Sequence, residues 1–305
     1  MSAMTDATTN ARIALLPDRG VMRVTGEDAG KLLQGLITND MELLQRQPAL
    51  YAALLSPQGK VLFDFLVAKV ADGFLLETAR DRAADLAKRL TIYKLRAKVV
   101  ILDASDGYRL FAVWGGAPVS HLESTIISYQ DPRLSQLGAR ILVEARPAAE
   151  LASPINGREA TAEDYHAHRI ALGVPEGGKD FAFGDTFPHE ADLDQLNGVS
   201  FTKGCFVGQE VVSRMQNRAT VRKRVVPVVG EAALTPGAEI TAGTAVIGRV
   251  GSVAGDEALA LVRLDRAAEA MAKGEALLAD SVAITLRKPR WATSDLLPAV
   301  AAGAP

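Results

Sequence analysis

Leu50-Tyr51-Ala52-Ala53-Leu54-Leu55 meets the turn Ser56-Pro57-Gln58-Gly59 and returns as Lys60-Val61-Leu62-Phe63-Asp64-Phe65-Leu66-Val67-Ala68-Lys69-Val70. Apolar residues flank a Pro-Gly turn on both sides, so the stretch reads as a β-hairpin. Residues 12–16 and 21–24 read as another hairpin about Pro17-Asp18-Arg19-Gly20. Thr25-Gly26-Glu27-Asp28 reads as a helix start, with Thr25 as N-cap and Ala29, Leu32, Leu33 and Leu36 on one face. Strands follow at 74–78, 99–102, 109–113 and 140–143, with helices at 81–93 and 161–172, the latter capped by Thr161 with Asp164 three residues on. Hairpins interleaved with helices predict an α+β fold rather than a doubly wound parallel sheet, built from two ferredoxin-like (split βαβ) units. From Arg224 the texture changes: Pro227, Pro236, Gly237, Gly243, Gly248, Gly251 and Gly255 punctuate short β runs, the pattern of a small barrel. The expected division is an α+β region over 1–225, a β-barrel over 226–290 and a loose tail over 291–305.

The 305 residues are 48% hydrophobic and 23% charged, which excludes a wholly disordered chain and makes two domains the expectation. Thirty-four basic and 36 acidic residues leave a net charge of −2, so no global field draws the chain to nucleic acid or to a membrane. No apolar run reaches spanning length, because Asp64 and Lys69 interrupt residues 61–70. Residues 1–10 lack a basic start followed by an apolar stretch, so no secretory signal is read there. Cys205 is the one cysteine, which excludes an intrachain disulfide and suits a reducing compartment. The expectation is a soluble, cytoplasmic protein with no membrane partner.

Chemistry concentrates in Ser200-Phe201-Thr202-Lys203-Gly204-Cys205-Phe206-Val207-Gly208-Gln209-Glu210. A thiol just ahead of a helix start, with a lysine two residues before it, is placed for a stabilised thiolate. Gly204 and Gly208 allow positive φ or the close approach of a ligand. The alternative is a small cysteine packed in a tight turn. Strand alternation puts Asp64 on the face of Leu62 and Leu66, where a carboxylate needs donors. It either faces a ligand's amine nitrogens or bonds to turn amides. Arg169 either holds a ligand carboxylate or caps its own helix. Arg214, Arg218 and Arg222 fall at i, i+4 and i+8, a stripe suited to RNA phosphates, a polyglutamate tail or a protein partner if the helix runs that far. His166 and His168 diverge by about 200° on a helix and have no neighbouring ligand, which discounts a metal site.

The block Lys203-Gly204-Cys205-Phe206-Val207-Gly208-Gln209-Glu210 resembles the K-G-C-[FY]-x-G-Q-E signature of the YgfZ family. These are folate-binding relatives of the glycine-cleavage aminomethyltransferase, or T-protein, and include mitochondrial iron–sulfur assembly factors. Leu33-Gln34-Gly35-Leu36-Ile37-Thr38-Asn39-Asp40, Leu55-Ser56-Pro57-Gln58-Gly59-Lys60 and Arg169-Ile170-Ala171-Leu172-Gly173-Val174-Pro175 resemble further blocks of that family in the same order. The resemblance implies a tetrahydrofolate-binding α+β region followed by a barrel. It implies Glu190, in Phe187-Pro188-His189-Glu190, as a pterin contact, with Asp64 and Arg169 beside the folate. It also implies Cys205 and Lys203 as the working pair, within the motif of Gly204, Phe206, Gly208, Gln209 and Glu210. T-proteins carry paired acids where this chain has Phe63-Asp64, which points away from glycine cleavage itself.

The leading expectation is a tetrahydrofolate-binding accessory protein of iron–sulfur cluster assembly or repair, with assembly proteins or client enzymes as partners. One cysteine does not hold a four-iron cluster, so further ligands must come from elsewhere. A folate-dependent aminomethyl or one-carbon transferase is the second reading, and a tRNA-modification factor using the basic stripe is the third.

Overall fold

The computed structural model describes residues 11–116, 126–145, 157–217 and 221–293. They divide into two compact units, each assembled from three stretches of chain. The first takes the described residues of Met1–Leu55, Phe63–Tyr165 and Leu196–Val207; the second takes those of Ser56–Leu62, His166–Gln195 and Gly208–Pro305. The division is discontinuous because residues 56–62 and 166–195 pack with the barrel rather than with their sequence neighbours.

The first unit holds two five-stranded sheets. One runs β3 (Ala49–Leu55), β4 (Val61–Val70), β5 (Gly73–Ala79), β2 (Arg19–Thr25), β6 (Val100–Asp103). The expected hairpin about Ser56–Gly59 is its β3–β4 pair. Ser56 N–H donates to Lys60 O at 2.8 Å, and Gly59 takes a φ of +80° that a side chain would resist. The other sheet runs β10 (Arg158–Glu159), β1 (Arg12–Leu15), β7 (Tyr108–Trp114), β9 (Ala139–Glu144), β8 (Ile127–Gln130). β1 and β2 are therefore not the hairpin expected from Pro17-Asp18: the chain changes sheets there. β1 pairs with β7 and β10, while β2 pairs with β5 and β6.

α1 (Ala29–Leu36) buries Ala29, Leu33 and Leu36, and α2 (Ala83–Lys94) buries Ala83, Leu86 and Leu90. In α2, Leu86 and Leu90 are buried as their spacing predicts, whereas Ala84, expected on the same face, is exposed and Ala83 is buried instead. The apolar spacing of α1 was legible, but its cap was not. Its N-cap is Asp28 rather than Thr25, and the Asp28 carboxylate accepts from Lys98 N–H at 2.8 Å instead of capping its own helix. α3 (Ala162–Ala171) starts with the expected capping box. Thr161 Oγ1 accepts from Asp164 N–H at 3.1 Å, and Asp164 Oδ2 accepts from Thr161 N–H at 2.9 Å.

The second unit is a closed barrel of β11 (Lys223–Gly230), β14 (Glu257–Arg263), β13 (Ala245–Ala254), β12 (Glu239–Ala242), β15 (Leu277–Ala279) and β16 (Val282–Leu286). Val226, Val228, Ile240, Val250, Ala260 and Val262 fill its interior. Closure removes the free edges that short antiparallel strands would otherwise expose. α4 (Gln209–Asn217) and α5 (Leu264–Ala272) belong to this unit. The tail beyond Thr293 and residues 1–10 lie outside the described residues.

Candidate functional site

Two of the sequence blocks, far apart along the chain, meet in the first unit. The Lys203 ammonium is buried and donates to three main-chain carbonyls, Gln34 O at 2.7 Å, Ile37 O at 2.8 Å and Asn39 O at 2.8 Å. These oxygens lie in and just beyond the last turn of α1, where carbonyls lack intrahelical donors and a cation is favoured. Burial pulls the ammonium down to about 8, while the nearby Asp40 carboxylate draws it back up. Thr38 and Asn39 lace the same join. Thr38 Oγ1 donates to Gly198 O at 2.6 Å, Ser200 N–H donates to Thr38 O at 3.0 Å, and Asn39 Nδ2 donates to Asn197 O at 2.7 Å.

On this pinned base sits an exposed Cys205. A Cβ added at Gly204 or at Gly35 would meet nothing within 4 Å among the described residues, so packing against them requires neither glycine. Gly208 differs, with a φ of +81° that calls for glycine. Lys203 thus has a task other than the one expected beside the thiol: all three ammonium protons are committed to the carbonyls of residues 34–39. The Phe206 ring lies 5.2 Å from the ammonium and covers it.

Asp64 lies on β4 where the strand is buried on both faces, with Phe63 and Phe65 buried beside it, and the Tyr51 hydroxyl donates to its Oδ2 at 3.0 Å. Burial and the Asp64 charge push the Tyr51 phenol well above its ordinary value. The Tyr51 carbonyl accepts from Asn39 Nδ2 at 2.7 Å, so Asp64 and Lys203 lie on one continuous hydrogen-bonded path through Tyr51 and Asn39. Nearby runs a buried charge network that the sequence reading missed. Glu77 Oε1 accepts from Arg19 Nε and Arg140 Nε, both at 3.1 Å, and its Oε2 accepts from the Tyr129 hydroxyl at 3.0 Å. Asp131 takes Arg133 through Nε at 3.0 Å and Nη2 at 2.8 Å, and Arg140 Nη2 at 3.2 Å. Burial works against the Asp131 carboxylate, yet Arg133 and Arg140 hold it below the usual range. The network joins β5 and β2 of one sheet to β9 and β8 of the other. Its signal was an acid, Glu77, inside the apolar run Gly73–Ala79.

Residues 16–133 match the model of the GCVT N-terminal domain, and residues 222–294 match the CAF17 C-terminal beta-barrel domain. The crystal structure of the glycine cleavage system aminomethyltransferase T from Bartonella henselae superposes with a TM-score of 0.73 at 17% identity, over 94% of this chain and 87% of that one; this shows the aminomethyltransferase-like fold alone. The human "iron-sulfur cluster assembly factor IBA57, mitochondrial" is 34% identical over 81% of this chain and 76% of its own length. The chain belongs to the IBA57 family of iron–sulfur cluster assembly factors. The IBA57 homolog of Mycosarcoma maydis is 36% identical over 77% of this chain, which spans 61% of the length of that relative. Both IBA57 relatives are named as mitochondrial, and this overturns the expected cytoplasmic location. A balanced charge and a lone thiol describe a reducing interior without distinguishing one compartment from another.

The second unit of this IBA57 family member receives Arg169 and Glu190. Arg169 is buried among partners of the protein itself: Nη1 donates to Val174 O at 2.7 Å and Asp180 Oδ2 at 2.6 Å, Nη2 donates to Ser252 Oγ at 2.8 Å, and Nε lies 3.4 Å from Glu176 Oε2. The guanidinium caps the end of its helix and binds a carboxylate of the protein itself. It is not offered to a ligand carboxylate. Glu190 is half-buried; its Oε2 accepts from Phe187 N–H at 2.8 Å, and its Oε1 has no partner among the described residues. The three-arginine stripe does not lie on one helix, because Arg222 is not helical. Arg214 pairs with Glu210 at 2.7 Å, and Arg218 lies outside the described residues.

Proposed function

We propose that this chain acts in iron–sulfur cluster assembly by presenting Cys205 as one thiolate ligand to a cluster whose other ligands come from a partner protein or a small thiol. The supporting observation is the build of the turn. An exposed thiol sits next to a glycine with open space around its Cα, on a base fixed by three hydrogen bonds from one buried ammonium. Rigid placement of a ligand on an otherwise open surface is what a shared metal site requires. Among the described residues no group of three His, Cys, Asp or Glu side chains is arranged to hold a metal, so the cluster is cargo rather than a resident centre.

The same proposal includes binding of a tetrahydrofolate. Its support is Glu190, half-buried with Oε1 open to accept from the N–H edge of a 2-amino-4-oxo-pyrimidine, and separately the buried Asp64. A bound folate would supply a one-carbon carrier; Glu190 would orient its ring.

Two measurements on the full chain test these parts separately. Anaerobic reconstitution with ferric iron, sulfide and excess glutathione should give a cluster chromophore that Cys205→Ser abolishes while folding is retained. An undiminished chromophore in Cys205→Ser sinks the ligand role. Titration with tetrahydrofolate should saturate, and Glu190→Gln should weaken it at least about tenfold; absence of saturable binding removes the folate part alone.

A further inference from the structure

Four of the seven large apolar side chains exposed among the described residues fall within eleven residues of the first unit. Ile92 is 65% exposed, Leu95 87%, Val100 52% and Leu102 55%. Ile92 lies on α2 away from its buried stripe of Ala83, Leu86 and Leu90. Leu95 ends the helix at φ +48°, ψ −111°, a backbone conformation that costs a leucine free energy. Val100 and Leu102 lie on β6, the edge strand of its sheet.

The register places Val100 opposite Thr25 and Leu102 opposite Arg23, on one sheet face. A Cβ at Gly20, on the other face, would lie 3.3 Å from Ala83 of α2. The helix and these two strand residues therefore flank the edge from opposite sides.

Between Lys88 and Lys98 the sequence carries five cations (Lys88, Arg89, Lys94, Arg96 and Lys98) and no acid. Lys88 meets Asp85 at 3.5 Å and Lys98 meets Glu27 at 2.8 Å, both in solvent. Arg89, Lys94 and Arg96 make no ion pair among the described residues. The remaining nearby acids are engaged: Asp28 with Lys98 N–H and Asp103 with Ser105.

We propose that this edge is a peripheral docking surface for an anionic lipid bilayer. Ile92 and Leu95 would enter the headgroup boundary while Arg89, Lys94 and Arg96 meet lipid phosphates. Apolar side chains set among cations, of which Arg89, Lys94 and Arg96 make no ion pair among the described residues, match a negatively charged, half-apolar surface. A protein interface of ordinary composition is depleted of lysine at its core, and a second copy of the chain would bring five cations against five. Lysines beside an edge strand do guard against unwanted pairing, but that does not account for a leucine held almost fully in water in a costly conformation. No helix among the described residues is long and apolar enough to cross a membrane, so the contact would be superficial. The overall charge of −2 conceals this local surface.

The test is flotation of the full chain with vesicles of phosphatidylcholine alone or with about 30% cardiolipin, at low and high salt. Partition into the anionic vesicles should exceed the neutral ones at least about tenfold and fall with salt. Leu95→Asp should lower it about tenfold or more, and Arg96→Glu likewise, with the far-ultraviolet circular dichroism unchanged. Equal partition of Leu95→Asp and the parent would overturn the proposal, as would no partition into anionic vesicles. Binding to poly-glutamate in the absence of vesicle binding would assign the edge to an acidic protein segment instead.

Discussion

Replacing Lys203 by Met removes one buried ammonium and leaves three carbonyl oxygens, those of Gln34, Ile37 and Asn39, without the donor they share. A hydrogen bond to a charged group contributes about 1.5–3 kcal/mol, so the three together give a gross loss of roughly 4–9 kcal/mol. Against this stands relief from holding an ammonium out of water, several kcal/mol. The net expectation is a loss of about 3 kcal/mol, a large share of the roughly 5–15 kcal/mol that stabilises a domain. Trp114 is buried in the first unit and Trp291 belongs to the second, so a Trp291→Phe background reads the first unit by fluorescence. With a urea dependence of about 2 kcal/mol per molar, the midpoint should fall by about 1.5 M. Lys203→Arg should lie between the parent and Met. If Lys203→Met moves the midpoint by less than about 0.3 M yet slows alkylation of Cys205 severalfold, the ammonium serves the thiol and the capping argument fails.

The Glu77 carboxylate offsets two buried guanidinium groups, so Glu77→Gln should destabilise the first unit by about 3–5 kcal/mol, read by the same Trp114 signal. Asp192 shares the Arg224 guanidinium with a bidentate Asp194, and burial raises its carboxyl to about 8. Because that value lies above the ordinary 3.8, the folded state holds the extra proton between about pH 4 and 8, and stability falls as pH rises through that window. Asp192→Asn, tolerated at φ +59°, should flatten the fall in urea midpoints from pH 5 to 8; an identical slope would refute the assignment. Gly138 has φ +84°, and a Cβ there would lie 2.0 Å from Val113 O, so Gly138→Ala should lower the melting temperature by several degrees at least.

The α+β class and the barrel were legible because apolar periodicity and turn residues are local properties of the chain. The β3–β4 hairpin and the Thr161–Asp164 capping box needed only neighbours in sequence. The failures have a common physical origin. Whether β1 pairs with β2 or with β7 is decided by partners about a hundred residues away. Asp28 was free, on sequence grounds, to cap its helix, but Lys98 N–H claims it from seventy residues downstream. The basic stripe depended on how far α4 runs, and Arg222 is not helical, while Arg218 lies outside the described residues. At the site, the burial of Asp64 was legible from its apolar neighbours, although its strand is buried on both faces, whereas Glu77 carried the same sign, an acid within an apolar strand, and was passed over. Lys203 was singled out for its nearness to Cys205 in sequence. Its real partners are 164 to 169 residues away, where no spacing rule reaches.

The interleaving of the two units has a consequence for biosynthesis. Domains fold as they leave the ribosome, amino-terminal parts first. Here α1 and most strands of both sheets are made long before residues Leu196–Val207, which complete the first unit. Until Lys203 emerges, the carboxyl end of α1 has no ammonium to close it. A chain that ends before Leu196 thus contains neither the finished unit nor the thiol-bearing turn. Display of Cys205 on its pinned base is therefore tied to synthesis past Val207, well after both sheets have emerged.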